Sequence, residues 1–297
     1  MRKNVKKQLA LRVLSTAALV AMVSSIATAA FAAEYNVKDG SVEIVAKDGV
    51  QRITQWVNKD IGIYVQDGKG EDIRDREDSD IVLTTKGETT SNTVTITAEE
   101  KKDTANVTLE NVHIQPDSKW SSDPAPIEIK GNGDTNLELN GNNIVLSGNK
   151  NHAGIEKADV NGTGTLTIKD DVNDDGKLLA GGYEDSAGIG GGSYHDGKSY
   201  GNTSNITITG GDITAVGGVY GAGIGGGSDE DASNIRIEGN AHVAAFSNSG
   251  AGIGSGYFSN GNSDITITDH ATVEAASLEG CGIGGSRLAS GKATITI

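Results

Sequence analysis

The sequence predicts an all-β solenoid, a parallel β-helix whose coils each contain three short strands. The first observation is a glycine-rich motif that recurs at residues 187–192, 222–227, 251–256 and 281–286. The second is an aliphatic motif that recurs between those segments, at residues 205–208, 234–237, 264–267 and 294–297. A third apolar segment follows the aliphatic motif, at residues 213–215, 243–245 and 273–275. Each segment is too short to bury its inward side chains alone, so a coil of about 30 residues needs a neighbouring coil on either side.

The glycine content excludes most other architectures. The chain contains 42 glycines and only 3 prolines, and a glycine inside a helix costs about 1 kcal/mol relative to alanine. The glycines cluster, as at Gly190, Gly191 and Gly192, rather than filling every third position, which excludes collagen. Neither repeated motif precedes a helical pattern or a Gly-Lys-Ser/Thr sequence, which excludes a phosphate-binding loop. We therefore assign the glycines to corners, where they allow positive φ and close backbone approach.

Stacked coils predict columns of equivalent residues about 4.8 Å apart. One inward column is expected to contain Val107, Leu137, Leu166, Ile206, Ile235, Ile265 and Ile295. A second is expected to contain Leu109, Leu139, Ile168, Ile208, Ile237, Ile267 and Ile297. A third is expected to contain Ile127, Ile155, Ile189, Ile224, Ile253 and Ile283. The residues between the first two columns should face solvent, namely Thr108, Glu138, Thr167, Thr207, Arg236, Thr266 and Thr296.

Residues 1–32 have the pattern of a secretory signal peptide. Five basic residues precede an apolar stretch at residues 13–29 and the small-residue sequence Ala30-Phe31-Ala32. An uncleaved membrane anchor is the alternative, although serines and threonines dilute the apolar stretch. We expect a protein that is secreted or held at the cell surface and that is not inserted in the membrane after the signal is cleaved.

The remaining chain divides into an irregular and a regular part. Residues 33–105 are interpreted as an N-terminal cap with degenerate first coils, because an exposed solenoid end is an unpaired sheet edge. Residues 106–297 are interpreted as the regular β-helix. Its C-terminal end looks uncapped, which favours a fragment of a longer protein or assembly through the open edge. The oligomeric state is left open.

Charge and cysteine content restrict the partners. The chain carries 40 acidic and 25 basic residues, a formal net charge of −15. Nucleic acid is excluded as a partner because it requires basic patches. Cys281 is the only cysteine, so an internal disulfide is impossible. It occupies the position of an alanine in the other glycine-rich motifs, and we expect a small buried side chain there.

The two repeated motifs also support a resemblance. Ala-Gly-Ile-Gly-Gly-Gly and Asn-Ile-Thr-Ile-Thr-Gly-Gly segments behind a signal peptide resemble the repeats of secreted or surface proteins of bacteria that are often called carbohydrate-binding-domain proteins. Those proteins are similar to pectin-lyase-like right-handed β-helices. The resemblance covers roughly residues 90–297. It implies a right-handed parallel β-helix with a role in polysaccharide binding or adhesion, and it carries over no particular binding residue.

One acidic segment has the pattern of a calcium loop. Asp171, Asn173 and Asp175, followed by Gly176, match the first six positions of the EF-hand pattern. The twelfth position is Gly182 instead of a bidentate glutamate. We therefore keep two interpretations, a calcium site at Asp171, Asn173 and Asp175, and a simple Asp/Asn-rich turn inserted in a coil.

Aromatic residues near the glycine-rich motifs give a candidate carbohydrate site. Sugar rings pack their C–H faces on aromatic planes, and nearby acidic or amide groups bind the hydroxyls. The candidates flank the motifs and are expected on one edge of the solenoid: Tyr183, Tyr194, Tyr200, Tyr220, Tyr257 and Phe258. Ordinary exposed loop residues are the alternative interpretation.

Catalytic groups are sparse in the regular coils. Arg236 and Glu238 lie close together on an outward strand face and are interpreted as a solvated ion pair. The five histidines occur singly, without metal-ligand spacing. The sequence therefore favours an exported, non-catalytic module that binds extracellular or cell-wall polysaccharide or acts as a surface adhesin. A structural stalk of a longer surface protein and a pectate-type polysaccharide lyase are the alternatives.

Overall fold

The chain forms short strands joined by turns, as the repeated apolar segments predict. A computed structural model describes residues 33–56, 73–117, 124–149, 151–157, 163–193 and 203–297. The expected signal peptide, residues 1–32, lies outside the described residues, as do Tyr194 and Tyr200. Among the described residues the only helix is a single 3-10 turn at Val37–Asp39.

The strands follow one another in chain order with a period of three. Those of the N-terminal part are β1 (Glu34–Asn36), β2 (Val42–Lys47), β3 (Val50–Trp56), β4 (Ile73–Glu77), β5 (Ile81–Thr84), β6 (Thr89–Thr90), β7 (Val94–Ala98), β8 (Thr104–Glu110), β9 (His113–Ile114) and β10 (Ile127–Gly131). Those of the middle are β11 (Asp134–Asn140), β12 (Asn142–Leu146), β13 (Ile155–Lys157), β14 (Leu166–Lys169), β15 (Lys177–Gly181) and β16 (Ile189–Gly190). Those of the C-terminal part are β17 (Thr203–Ile208), β18 (Asp212–Val216), β19 (Ile224–Gly225), β20 (Ala232–Ile237), β21 (His242–Ser247), β22 (Ile253–Gly254), β23 (Ser263–Ile267), β24 (Thr272–Ser277), β25 (Ile283–Gly284) and β26 (Ala293–Thr296).

Three sheets run along the axis of a right-handed parallel β-helix, which confirms the predicted fold class. Sheet A has the order β1-β5-β8-β11-β14-β17-β20-β23-β26 in the described residues. Sheet C has the order β6-β9-β12-β15-β18-β21-β24. Sheet B has the order β4-β3-β2-β7-β10-β13-β16-β19-β22-β25. From β5 onward the chain passes in turn through A, C and B, and each strand inside the stack is hydrogen-bonded to its equivalents in the coils before and after.

The inward columns are aliphatic. The predicted register of the sheet B column holds throughout, and that of the first column holds from Leu166 onward. Ile206, Ile235 and Ile265 are aligned in adjacent coils and fully buried. The isoleucine column of sheet B is aligned from Ile127 to Ile283. Burial of one such side chain on each strand stabilises the solenoid by roughly 1.5–3 kcal/mol.

The predicted register between β11 and β14 is wrong by two residues. Leu137 is aligned with Ile168, and Leu166 is aligned with Thr135 instead of Leu137. Gly164 explains the shift, because a Cβ there would lie 1.8 Å from the carbonyl oxygen of Gly133. The two glycine backbones meet directly, and the strand that follows is set by that contact.

The predicted exposure of Glu138 is also wrong. Its residue is buried, 8% exposed, whereas the other described members of that outward set are half-buried or exposed. Its Oε1 accepts hydrogen bonds from the backbone N–H groups of Asp171 and Val172, at 2.7 and 3.1 Å. The extra loop at residues 170–176 therefore folds down over Glu138 and is fastened to the preceding coil.

An antiparallel extension of sheet B covers the first coil. Strands β3 and β4 continue the sheet beyond β2 in antiparallel pairing. Gln51 donates to the carbonyl oxygen of Asn106 and accepts from its N–H, at 3.0 and 2.7 Å. Gln55 donates to the carbonyl oxygens of Asn36 and Gly40. Gln51 thus hydrogen-bonds the main chain of β8, and Gln55 hydrogen-bonds the main chain of the first coil.

The last described coil is open on one side. Ile295 is 43% exposed, although it continues a column that is otherwise fully buried. Cys281 is exposed, so the expected burial of its side chain is wrong. The equivalent Ala187, Ala222 and Ala251 are fully buried, because each of them has a coil stacked on both sides.

Candidate functional site

Each glycine-rich motif forms a tight corner around a strand of two residues. We call the segments 187–192, 222–227, 251–256 and 281–286 the glycine corners. In each, the first N–H donates to the carbonyl oxygen four residues later, as from Ala222 to Gly226 at 2.9 Å. The isoleucine between them points into the core. The chain thus enters and leaves the corner at nearly the same place, which brings the loops before and after it together.

Glycine is required at the corner because successive coils meet there by their backbones. Gly225 has φ +137°, and a Cβ would lie 1.9 Å from the carbonyl oxygen of Gly254. Gly190 and Gly254 have the same conformation and the same close contact with the next coil. No L-residue adopts this backbone without strain. The corners therefore stack in register and fix the spacing of the loops beside them.

The flanking loops are bonded to one another from coil to coil. We call residues 182–186, 217–221, 247–250 and 277–280 the leading loops, and residues 228–231, 257–262 and 287–292 the trailing loops. The N–H of Tyr220 donates to the carbonyl oxygen of Glu184, and the N–H of Tyr257 donates to that of Tyr220, both at 2.8 Å. The N–H of Asp229 donates to the carbonyl oxygen of Tyr257 at 2.7 Å. Side chains on these loops therefore form one continuous surface, which we call the aromatic edge.

Three of the predicted carbohydrate-site residues make a ring cluster on the aromatic edge. The ring centroids of Tyr220 and Tyr257 are 5.1 Å apart at 41°. Those of Tyr257 and Phe258 are 4.6 Å apart at 84°. Tyr220 is 39% and Phe258 is 46% exposed. The central ring of Tyr257 therefore supports two rings whose surfaces are open to solvent.

Tyr183 lies on the leading loop one coil earlier and is 49% exposed. Sequence reasoning did not include three exposed aliphatic residues on the same edge, Val219, Leu278 and Leu288. The repeat alignment contains the signal for one of them, because Leu288 stands where the preceding coil has Phe258. Both residues have positive φ, +60° and +63°, as does Asp229 at +62° in the coil before.

Polar groups surround the rings. Glu279 forms an ion pair with Arg287 at 2.7 Å and accepts a hydrogen bond from the hydroxyl of Ser249 at 2.8 Å. The hydrogen bond from Ser249, together with Arg287, lowers the pKa of Glu279 below its ordinary value. Glu184 and Asp229 are exposed. The edge thus combines aromatic planes with carboxylate acceptors, a combination that suits the C–H faces and hydroxyl groups of sugars.

The three residues of the predicted calcium loop each contact a different partner. The carboxylate of Asp171 is paired with Lys169 at 2.6 Å, and the amide of Asn173 donates to Asn140 at 3.2 Å. Asp175 accepts from the N–H of Gly141 at 3.2 Å. The described residues include no group of three or more His, Cys, Asp or Glu side chains arranged to hold a metal ion. Calcium binding by this loop stays a prediction.

Asp175 also lines an open groove of about 520 Å³ at the corner between sheets A and C. The lining residues come from the inserted loop and from the two later coils. The groove is lined by Asp170, Asp174, Asp175, Gly176, Lys177, Gly211, Asp212, Asn240, His242 and His270. Its carboxylates, imidazoles, one ammonium group and one amide make it hydrophilic, and Phe, Tyr and Trp are absent from these lining residues.

A buried acid–histidine pair was missed in the sequence. His152 Nδ1 lies 2.9 Å from Glu156 Oε2, and the N–H of Ala153 donates to the same oxygen at 3.0 Å. Burial raises the pKa of Glu156, opposed by the contact with His152. Their side chains are 7% and 1% exposed, so a ligand does not reach them in this conformation. Glu156 is aligned with Gly190 of the first glycine corner. A glutamate at a position that is glycine in later coils is the sequence signal for this pair.

Arg236 lies on the outer face of β20, and Glu238 is the first residue after that strand. Their side chains form an ion pair, with 2.8 Å between Arg236 Nη2 and Glu238 Oε2. Both side chains are partly exposed, at 43% and 27%. Such an ion pair contributes about 0–1 kcal/mol to stability.

Comparisons with known proteins bear on the fold. A family model described as a beta helix repeat matches residues 206–228, 235–257 and 265–287. Each matched segment runs from sheet A through sheet C and the glycine corner to the trailing loop. Neither the curated proteins nor the solved structures contain a match. No helix among the described residues is both long and apolar enough to cross a membrane. The chain folds as a parallel β-helix, and three segments of its C-terminal coils match the beta helix repeat.

Proposed function

We propose that this protein is an exported, non-catalytic β-helix module that binds polysaccharide along its aromatic edge. The observation that carries the proposal is the cluster of Tyr220, Tyr257 and Phe258, in which two rings remain open to solvent. Exposed aromatic residues grouped on stacked loops offer a larger apolar contact than scattered ones. The export part rests on the signal-peptide pattern of residues 1–32.

The scaffold favours a binding role for these rings. Main-chain hydrogen bonds from coil to coil hold the loops, so little conformational entropy is lost when a ligand binds. A polymer that lies along the solenoid axis contacts the same edge in several coils, and its weak contacts add up through multivalency. Attachment of cells or cell-wall fragments through such contacts would make the protein a surface adhesin.

Affinity electrophoresis of the secreted chain in gels that contain soluble glycans tests the proposal, after a glycan array has identified binders. We expect Tyr220→Ala and Phe258→Ala each to weaken retardation about 10-fold, because each removes an exposed ring. Val172→Ala is the matched control, since Val172 is 72% exposed on the loop at residues 170–176 and outside the edge. Circular dichroism melting shows whether each variant is folded. Equal binding by all three variants, or no bound glycan, would contradict the proposal.

A lyase activity is the alternative that the fold allows. Incubation with pectic polymers, followed by ultraviolet absorbance, detects the unsaturated product of a lyase. We expect no increase in absorbance. An increase that persists in the Phe258→Ala variant would replace the binding proposal with a catalytic one located elsewhere in the chain.

A further inference from the structure

We propose that the aromatic edge discriminates by charge, accepting uncharged glycans and rejecting glycans that carry a carboxylate on each sugar. The inference rests on the proposed function, because it concerns the ligand class of the same edge. It adds what the rings alone do not determine, since an aromatic plane packs equally well on neutral and acidic sugars.

Carboxylates occur in loops that are hydrogen-bonded to the loops of the clustered rings. Main-chain hydrogen bonds join Tyr220 to Glu184 and Tyr257 to Asp229, and both acids are exposed. In the leading and trailing loops defined above, the acidic residues are Glu184, Asp185, Asp229, Glu230, Asp231 and Glu279, of which Glu230 is buried. The loops of Tyr257 and Phe258 contain no acid, so the exposed carboxylates that face these rings come from the preceding coils.

Positive charge on the edge is small and partly neutralised. Arg287 and Lys292 are the basic residues of these loops. Arg287 Nη1 donates to Glu279 Oε2 at 2.7 Å, so its charge is compensated by a carboxylate on the edge itself. A polyanion would gain little from Arg287 without first breaking that pair.

The distances make the repulsion effective. Coils are about 4.8 Å apart, and charges in 0.15 M salt interact over about 8 Å. An acidic sugar that packs on Tyr220 or Tyr257 is then within this range of a carboxylate in a neighbouring loop, Glu184 or Asp229. The net charge of −15 acts in the same direction at longer range in dilute salt.

The same carboxylates favour neutral sugars. An ionised carboxylate accepts hydrogen bonds and donates none, and a sugar hydroxyl donates one. Glu184 and Asp229 therefore offer acceptors to a neutral polyol that packs on Tyr220, Tyr257 and Phe258. The chemistry that repels a uronate thus contributes to binding a hydroxyl-rich chain.

Two matched polymer pairs test the inference with the secreted chain. The first is polygalacturonate and its fully methyl-esterified form. The second is a soluble β-glucan and the same polymer oxidised to a carboxylate at its primary hydroxyl groups. Affinity electrophoresis in 0.15 M salt should show at least one uncharged member bound about 10-fold more tightly than its acidic partner. The difference should shrink in 1 M salt, where screening is stronger.

The double variant Glu184→Gln, Asp229→Asn keeps the acceptors and removes the charges. Asparagine tolerates the positive φ of residue 229. We expect its affinity for the acidic polymers to rise about 5-fold, with affinity for the uncharged ones unchanged within 2-fold. Equal or tighter binding of the acidic member by the wild type would overturn the inference and leave polysaccharide binding intact. No binding to either pair, together with an empty glycan array, would overturn the proposed function and this inference with it.

Discussion

In the early coils the strands β7 and β10 of sheet B each span five residues, whereas β16, β19, β22 and β25 each span two. One aligned position carries a side chain in the early strands, namely Thr95, Glu128 and the buried Glu156, and is glycine in the later coils. The inward isoleucine column continues unbroken through both regions. The core therefore determines the coil, and the corner residue determines how closely the loops of neighbouring coils approach.

The first and last described coils differ as well. The first coil is covered by β3 and β4, with Gln51 and Gln55 bonded to main-chain groups. Residues of β24 and β26 are half-buried or exposed. An isoleucine of the column therefore contributes more to stability where coils are stacked on both sides of it than where one side is open.

The largest effect is expected for a column residue with coils on both sides. Ile235→Ala should lower the free energy of unfolding by about 2–5 kcal/mol, because neighbouring coils cannot collapse into the cavity. Ile295→Ala, in the same column but 43% exposed, should cost about 1 kcal/mol or less. Denaturant titration followed by circular dichroism measures both. Equal losses would show that covering by neighbouring coils does not matter.

A smaller loss is expected at the corner. Gly225→Ala should cost about 3 kcal/mol, because the residue must keep φ near +137° and its Cβ meets a carbonyl oxygen. Glu128→Ala, at the aligned outward position of an early coil, should cost less than about 1 kcal/mol, since its side chain is 19% exposed and paired with Lys130. The difference between their melting temperatures is the measurement. A harmless Gly225→Ala would contradict close backbone stacking.

Loss of the Gln51 amide should destabilise the part of the solenoid that β3 and β4 cover. Gln51→Ala leaves the N–H and carbonyl of Asn106 without this partner and should cost about 1–3 kcal/mol. Hydrogen exchange should accelerate in β3 and β8 and remain unchanged in β20. Uniform acceleration throughout the chain would show that this end is not a separate stabilising element.

The pH dependence of stability should distinguish the coil that contains Glu156 from the coils that have glycine at the same position. The pKa of Glu156 is raised in the folded state by burial, so folding favours its protonated form. Stability from this group is present below the unfolded pKa of about 4.3 and is lost as the pH rises through the folded value. The melting temperature of the wild type minus that of Glu156→Gln should therefore fall between pH 4 and pH 8. A constant or rising difference would contradict the raised pKa.

The smallest effect concerns the inserted loop. If Asp171, Asn173 and Asp175 bind calcium, millimolar calcium should raise the melting temperature, since a ligand specific to the folded state stabilises it. The double change Asp171→Ala, Asp175→Ala should abolish that increase. A wild type that does not respond to calcium would make the loop a turn held by Glu138, Asn140 and Gly141.

The period and chemistry of the motifs were sufficient to predict the fold, because an isoleucine every 29 or 30 residues has few other ways to be buried. The register of β14 was not predictable by matching aliphatic residues, since contact between Gly133 and Gly164 decides it. The antiparallel strands β3 and β4 lack the repeat on which the prediction depended.

The candidate site was predicted as an edge but not as a cluster. The sequence placed Tyr220 before one corner and Tyr257 after the next, and only the main-chain bond between them shows that their rings meet. The pair of His152 and Glu156 was missed because it lies in an earlier coil, where Glu156 stands at the position aligned with Gly190 of the first glycine corner. The signal was a glutamate where the later coils have glycine, and an alignment based on the shared residues does not reveal it.

Residues 229, 258 and 288 occupy one position in three successive coils, and all have φ between +60° and +63°. An acid, an aromatic ring and a branched aliphatic side chain thus stand on the same backbone at intervals of one coil. The side chain at this position can differ from coil to coil, because the backbone beneath it keeps the same geometry. A chain built this way can acquire a new binding preference by single substitutions along one line, without any insertion, rearrangement or loss of its core.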